Sequence, residues 1–256
     1  MAPGDTPPED RGRWLEAASL PLLLLIWQIL AMALPHRLFP TPLTVGGEIL
    51  VLATEGPLLA DMGRTLGRAG LAFLASMALG ILIGAALGRI RSLDRLFSAW
   101  VLIGLNIPAI VVAIACYIWL GLTEFALILA VTTNKTPLVA VIMREGVRAL
   151  DPDISELARA YRVGALRRLR LFTLPQLMPF VLSAARTGLS LIWKIVLVFE
   201  VLGSDGGVGF RIGVQFQNFD ITGILAYTLS FMTVVLAIEY LVMRPLDRKV
   251  LGWRRV

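Results

Sequence analysis

Apolar residues gather in runs about as long as the ~20 residues a helix needs to cross a hydrocarbon core, and the charged residues fall in clusters between them. Six spans follow from this pattern, at about 17–34, 65–88, 98–120, 124–143, 177–202 and 222–243. Several runs exceed the roughly 10–14 residues of a buried helix in a soluble protein. The chain therefore reads as an all-α membrane protein with one transmembrane domain over 17–243. Residues 1–16 are polar, carry Pro3, Pro7 and Pro8, and read as a disordered lead-in. Ala31-Met32-Ala33 resembles a signal-cleavage site, but the run before it is too long for a signal peptide, so a retained first helix is expected. Pro35, Pro40 and Pro42 break the chain after it, and Glu48 to Ala60 predicts a short interfacial helix. In the second span Gly80, Gly84 and Gly88 recur every four residues, with Gly63 and Gly67 repeating the spacing at its start, which predicts close helix packing. Asn106 and Pro108 predict a kink in the third span, because proline removes a backbone donor. A basic tail, 244–256, closes the chain.

Composition sharpens this. Of the 256 residues 57% are hydrophobic and 16% charged, against roughly 45–50% apolar in soluble domains. A soluble fold could not hide that much apolar surface. One cysteine, Cys116, and one histidine, His36, leave no internal disulfide, no metal cluster and no nucleophile–histidine arrangement. No catalytic residue and no metal ligand is assigned, and the chain reads as a non-enzyme.

The +6 charge is explained by topology. Most of the 24 basic residues lie at Arg11 and Arg13, at Arg89, Arg91 and Arg95, between Arg144 and Arg170, and from Arg244 onward. All four segments share one side if the N-terminus is inside. The positive-inside rule then places both termini in the cytoplasm, and a nucleic-acid partner is unnecessary.

The connection between spans four and five, 144–175, is long where a short link would do. Asp151-Pro152-Asp153 breaks the chain, and Ser155 or Asp153 can cap a helix through Tyr161. Gly164 permits a turn. A second helix is expected through Phe172, ending near Leu174-Pro175. Glu156, Ala158, Gly164 and the Leu174-Pro175 pair, with Pro175 nineteen residues after Glu156, resemble the Glu-Ala-Ala loop of ABC importer permeases of the nitrate/sulfonate/taurine type. Further likenesses are Phe39-Pro40-Thr41-Pro42, Thr65-Leu66, Leu120 through Glu124, and Gly206-Gly207-Val208-Gly209, which together cover about 38–250. In two places the chain departs from the pattern. Leu157 replaces the first alanine, and Arg162 stands where the family has glycine, which moves the expected turn to Gly164.

The resemblance implies the type I importer (MetI-like) fold in a bacterial inner membrane. It implies a second permease copy, most simply a homodimer, and a dimer of ATP-binding-cassette ATPases gripping Glu156, Ala158, Arg162, Gly164, Leu174 and Pro175. It also implies a periplasmic or lipid-anchored solute-binding protein. ATP and magnesium would belong to the ATPase, and no cofactor to this chain, which lacks a Gly-x-x-x-x-Gly-Lys-Ser/Thr loop. Relatives of this type move sulfonates, nitrate, bicarbonate, aromatic acids, or vitamins and their precursors. An ATP-independent channel or carrier would need neither partner, but no inverted repeat is visible.

Ionisable groups within spans cost roughly 2.5–3.5 kcal/mol at mid-helix and so mark function. Asn134 and Lys135 sit mid-span before Pro137, and Lys194 and Glu200 lie in span five. These four are the candidate residues of a translocation pathway: either the lysines line a path for an anion, or they pair with carboxylates such as Glu200 or Glu239, or they snorkel to a membrane boundary. Arg186 and Glu239 form an expected structural pair near the inner leaflet.

Overall fold

The computed structural model describes residues 9–33 and 39–251, among which every regular element is helical. In chain order these are α1 (Glu9–Ala33), α2 (Pro42–Thr54), α3 (Leu58–Arg89), α4 (Arg91–Asn106), α5 (Ala109–Leu120) and α6 (Glu124–Arg148). They continue as α7 (Pro152–Ala160), α8 (Ala165–Arg168), α9 (Leu174–Gly203), α10 (Val208–Gln217), α11 (Ile221–Ile238) and α12 (Arg244–Leu251). Single π turns, Leu169–Thr173 and Glu239–Met243, join α8 to α9 and α11 to α12. The described residues form two compact units, one over 60–211 and 231–251, the other over 9–33, 39–59 and 212–230.

In the smaller unit, α2 replaces the interfacial helix expected over 48–60. It starts earlier because Thr41 caps it, accepting from the Thr44 amide at 3.2 Å, and Pro42 supplies a first-turn residue whose missing N–H costs nothing. The indole of Trp27 on α1 donates to the Pro40 carbonyl at 3.1 Å. Helix α1 begins at Glu9, inside the stretch read as a disordered lead-in. Residues 1–8 and 252–256 of the two polar ends lie outside the described residues.

The larger unit is built on α3, α6 and α9. Helices α3 and α6 run parallel, with Gly80 against Val139, Gly84 against Ala140 and Met143, and Gly88 against Val147. A side chain at Gly84 would collide with the carbonyl oxygen of Ala140, so the stripe sets how closely the two helices approach. Gly63 and Gly67 share the spacing but not the role, since a Cβ at either would have no neighbour within 4 Å. Helix α9 packs against α6 as well, the Phe180 ring lying over Gly146. Met77, Val139, Met143, Leu177 and Ala184 form the buried apolar core of the three.

Two sequence expectations change here. Among the described residues four helices are long and apolar enough to cross a membrane, and five spans result if the bent pair α4–α5 counts as one. Six is therefore an approximate count. The first expected span is interrupted by Pro21, and its apolar part, Pro21–Ala33, is shorter than the ~17 residues a crossing needs. The third is broken outright, its halves bent by 95°. Pro108 has no N–H to donate and forces Ile107 out of the helical region, to φ −66 and ψ 124.

The helix after Gly164 does not stop at Leu174-Pro175 either. It continues as one rod from Ala165 to Gly203. In the π turn the Leu174 amide bonds to Leu169 O, five residues back. That slip relieves the clash the Pro175 ring would make with the preceding turn.

Candidate functional site

Three groups of residues carry chemistry, and the structure keeps them apart along the helices of the larger unit. The first is the α7–α8 hairpin. Asp151, rather than Ser155 or Asp153, caps α7. Its carboxylate accepts from the Asp153 amide at 2.9 Å, while the Ser155 hydroxyl donates to the Asp151 carbonyl at 3.2 Å. Gln176 ties the hairpin to α9, accepting from the Asp151 amide at 3.0 Å and donating to the Phe172 carbonyl at 2.9 Å.

Helix α7 ends in a Schellman motif. The Val163 amide reaches Ala158 O and the Arg162 amide reaches Arg159 O, both at 2.9 Å. The motif needs a left-handed residue, and that residue is Arg162, at φ 49. The turn therefore stays at the position where the family has glycine and does not move to Gly164. Gly164 has φ −57 and merely precedes α8. A side chain in this region costs about 1 kcal/mol or more. Arg162→Gly is thus expected to stabilise the hairpin by about 1 kcal/mol, read as slower amide hydrogen exchange at Arg162 and Val163. Unchanged or faster exchange there would remove the strain assignment.

Ala158 is buried inside this turn, whereas Glu156, Arg162 and Gly164 are exposed. So are large apolar side chains: Leu157 at 53%, Tyr161 at 77% and Leu166 at 78%. Leu174 and Pro175 are also exposed, at the start of α9.

The second group lies at the opposite ends of α3 and α9. Arg68 is 4% exposed and Glu200 fully buried, and their side chains meet at 2.7 Å. Arg68 also holds Glu124, at the start of α6, through two nitrogens, Nε at 2.6 Å and Nη2, and donates to the Gly206 carbonyl at 2.5 Å. Thr65 donates to both Glu200 oxygens at 2.9 Å. The same cluster caps α10. The Gly207 amide donates to Asp61 at 3.1 Å, the Val208 amide to the Thr65 hydroxyl at 2.9 Å, and the Gly209 amide to Glu200 at 2.8 Å. The first amides of a helix have no partner within it and carry its positive dipole end. Here side chains from two other helices satisfy them, and Arg211 completes the ring on Asp61 at 2.8 Å. Gly207, at φ 102, leaves no room for a side chain beside Glu200.

This clamp unites Thr65, Glu124 and Gly206 through Gly209, residues that are far apart in the sequence. Asp61, Arg68 and Arg211 escaped the sequence reading. Depth was the available signal: Arg68 lies as close to one end of its span as Glu200 does to the matching end of its own, and a glutamate in a membrane needs a partner.

The third group contains the mid-span polar residues. Glu200 belongs to the clamp and Glu239 is held by Arg186 at 2.6 Å, the pair expected from the sequence. Both proposed partners of the lysines are therefore engaged by arginines. Among the described residues Lys135 and Lys194 make no ion pair. Lys135 is only 8% exposed, and one turn away the buried Thr132 hydroxyl also lacks a partner. Asn134 makes a long contact, 3.5 Å, to the Ile107 carbonyl at the α4–α5 break. Lys194 is exposed. It ends a polar face of α9 formed by Ser183, Thr187 and Ser190, all exposed, while Ala184, Gly188 and Ile192 beside them are buried. The face is about 16 Å long at 1.5 Å per residue.

Known proteins share this architecture. The chain is 26% identical over 251 residues to a putative aliphatic sulfonates transport permease protein, SsuC, of Bacillus subtilis, covering 97% of this chain and 91% of that one. It is 23% identical over 253 residues to the taurine transport system permease protein TauC of Escherichia coli, covering 96% and 92%. A crystal structure of a bacterial alginate ABC transporter in complex with an alginate pentasaccharide-bound periplasmic protein has a chain that superposes with a TM-score of 0.66 at 16% identity, covering 94% of this chain and 97% of that one. Residues 76–251, most of the chain and nearly all of the larger unit, match one family throughout. With its helical architecture and its relatives agreeing, the chain belongs to the binding-protein-dependent transport system inner membrane components.

Proposed function

We propose that this permease imports a small organic anion of the sulfonate class, driven by an ATPase dimer that grips the α7–α8 hairpin and supplied by an external solute-binding protein. The observation that carries the coupling role is the hairpin surface. Leu157, Tyr161 and Leu166 project from a segment outside the spans, and exposed apolar side chains of that size, rimmed by Glu156 and arginines, mark a protein contact. The basic residues around them support a cytoplasmic placement, with both termini on the same side and the Arg68–Glu200 clamp at the external end.

The sulfonate class is supported by the two curated relatives together with the unpaired lysines. A polar face ending in an ammonium group is costly against lipid, so the α9 face from Ser183 to Lys194 is assigned to a water-lined path between two permease copies. Lys135 and Asn134 are assigned to the same path at the broken span, and Glu200 to the clamp. Catalysis of ATP hydrolysis, with its magnesium, stays with the partner.

The test is reconstitution of the permease with its ATPase and binding protein in liposomes loaded with ATP. Uptake of a labelled alkanesulfonate is expected only when all the components are present. Leu157→Asp with Tyr161→Asp should abolish ATPase retention and uptake while leaving membrane insertion intact, and Lys194→Gln should cut uptake at least tenfold without loss of ATPase binding. Solute flux through the permease alone would sink the proposal.

A further inference from the structure

Lys135 is 8% exposed and Thr132 5%, and both sit in the middle of α6. The Thr132 hydroxyl has no hydrogen-bond partner, and Lys135 makes neither a hydrogen bond nor an ion pair among the described residues. The two stand one turn apart on the same side of the helix. A long side chain on a helix leans back over the turn before its own, so the Lys135 ammonium lies towards Thr132.

Register decides what faces them. The carbonyls of Thr136, Ala140 and Arg144 abut Gly80, Gly84 and Gly88 of α3, and nearer the clamp Arg68 holds Glu124. Each of these pairs is 56 positions apart, so α3 and α6 keep one register from Arg68 to Gly88. Between those points it brings the Thr132 backbone to Ser76. The row of Val139, Met143 and Val147 against the same glycines likewise continues to Lys135 against Ser76. Ser76 is 1% exposed, and its hydroxyl already donates to the Phe73 carbonyl at 3.0 Å, so it brings no charge.

No carboxylate of these helices reaches this depth. Helix α3 has no acid after Asp61, α5 has none, and α9 has only Glu200. On α6 itself the acids are Glu124 and Glu145, each about 15 Å or more from Lys135 along the helix. Arginines hold all four, and Asp94 of α4 as well. An ammonium group this deep is costly without a counter-charge. The packed helices supply none, and an ammonium beside an idle hydroxyl is the donor set of an anion site.

We infer that Lys135 and Thr132, backed by Ser76, form a binding station for one small monovalent anion at the middle of α6. A halide ion and the sulfonate head of the solute share that chemistry. The station deepens the assignment of Lys135 to the solute path and rests on it.

The experiment follows the broadening of the chloride nuclear magnetic resonance line by the assembled transporter in nanodiscs, with gluconate as the balancing anion. A saturable broadening is expected, and Lys135→Met should remove it. Because that variant changes a buried charge, Thr132→Val serves as a second: it keeps the charge and the side-chain shape, and should weaken chloride about tenfold. Methanesulfonate separates the two sources. Competition with chloride assigns the station to the head of the solute, and lack of competition assigns it to a resident halide. Absence of saturable broadening by the unaltered protein overturns the station. So does broadening that Lys135→Met leaves unchanged, which would be an adventitious ion only. ATP-dependent uptake by the same transporter in liposomes keeps the two readings apart: normal uptake without saturable broadening sinks the station alone, and saturable broadening without uptake sinks the importer alone.

Discussion

Glu200→Ala is expected to lower the stability of the permease by about 3–5 kcal/mol, the cost of leaving a buried charge without its partner. The loss should be this large because Glu200 has three dependants. Arg68 would retain Glu124 and Gly206 but lose its buried counter-charge, the Thr65 hydroxyl would lose its acceptor, and the Gly209 amide at the head of α10 would be left bare. Glu200→Gln keeps most of the shape and should cost less. The double replacement Arg68→Met with Glu200→Leu should be milder than the sum of its parts, since a well-packed apolar pair often substitutes for a buried ionic one. Reversible unfolding in mixed micelles, monitored by circular dichroism, would show the order Ala worse than Gln. A change within about 1 kcal/mol for Glu200→Ala would mean that water reaches the cluster and that it holds nothing together.

The second large effect is at Gly84. Substitution by leucine should prevent α3 and α6 from closing, because the first atom added meets the Ala140 backbone and the Met143 Cβ, and backbone cannot swing aside as a side-chain tip can. Even alanine should destabilise by about 1–3 kcal/mol, despite its better helix propensity, worth at most ~1 kcal/mol. Gly63→Ala and Gly67→Ala are the internal controls. They keep the sequence spacing but lack the contact, and thermal aggregation midpoints should stay at or slightly above that of the unaltered protein. Equal losses at Gly67 and Gly84 would show that the stripe, rather than the Ala140 contact, is what matters.

These two cases also show what the sequence made legible. Long apolar runs, the charge bias and the Glu156 to Pro175 spacing were enough for the class, the helical fold and the family, because each is a local or additive signal. Sequence spacing could not separate Gly84 from Gly67, since the difference lies in what stands opposite each of them. Arg68 gives no such local signal, because its partners Glu124, Glu200 and Gly206 come from distant parts of the chain. At Arg162 the local rule misled: glycine was sought where a left-handed turn was needed, yet the chain placed an arginine in that conformation and kept the Schellman bonds. Pro175 was read as a stop for the same kind of reason, and a one-residue slip in bonding let the helix pass.

That slip has a mechanical consequence. With α8, the π turn and α9 continuous, the hairpin and the polar face ending at Lys194 ride on a single rod, about 58 Å long at 1.5 Å per residue. A stiff lever of that length magnifies small rotations. A tilt of about ten degrees about its Ala165 end would carry the Gly203 end through ~10 Å, so a modest stroke applied at Leu166 arrives at the far end as a displacement on the scale of a gate.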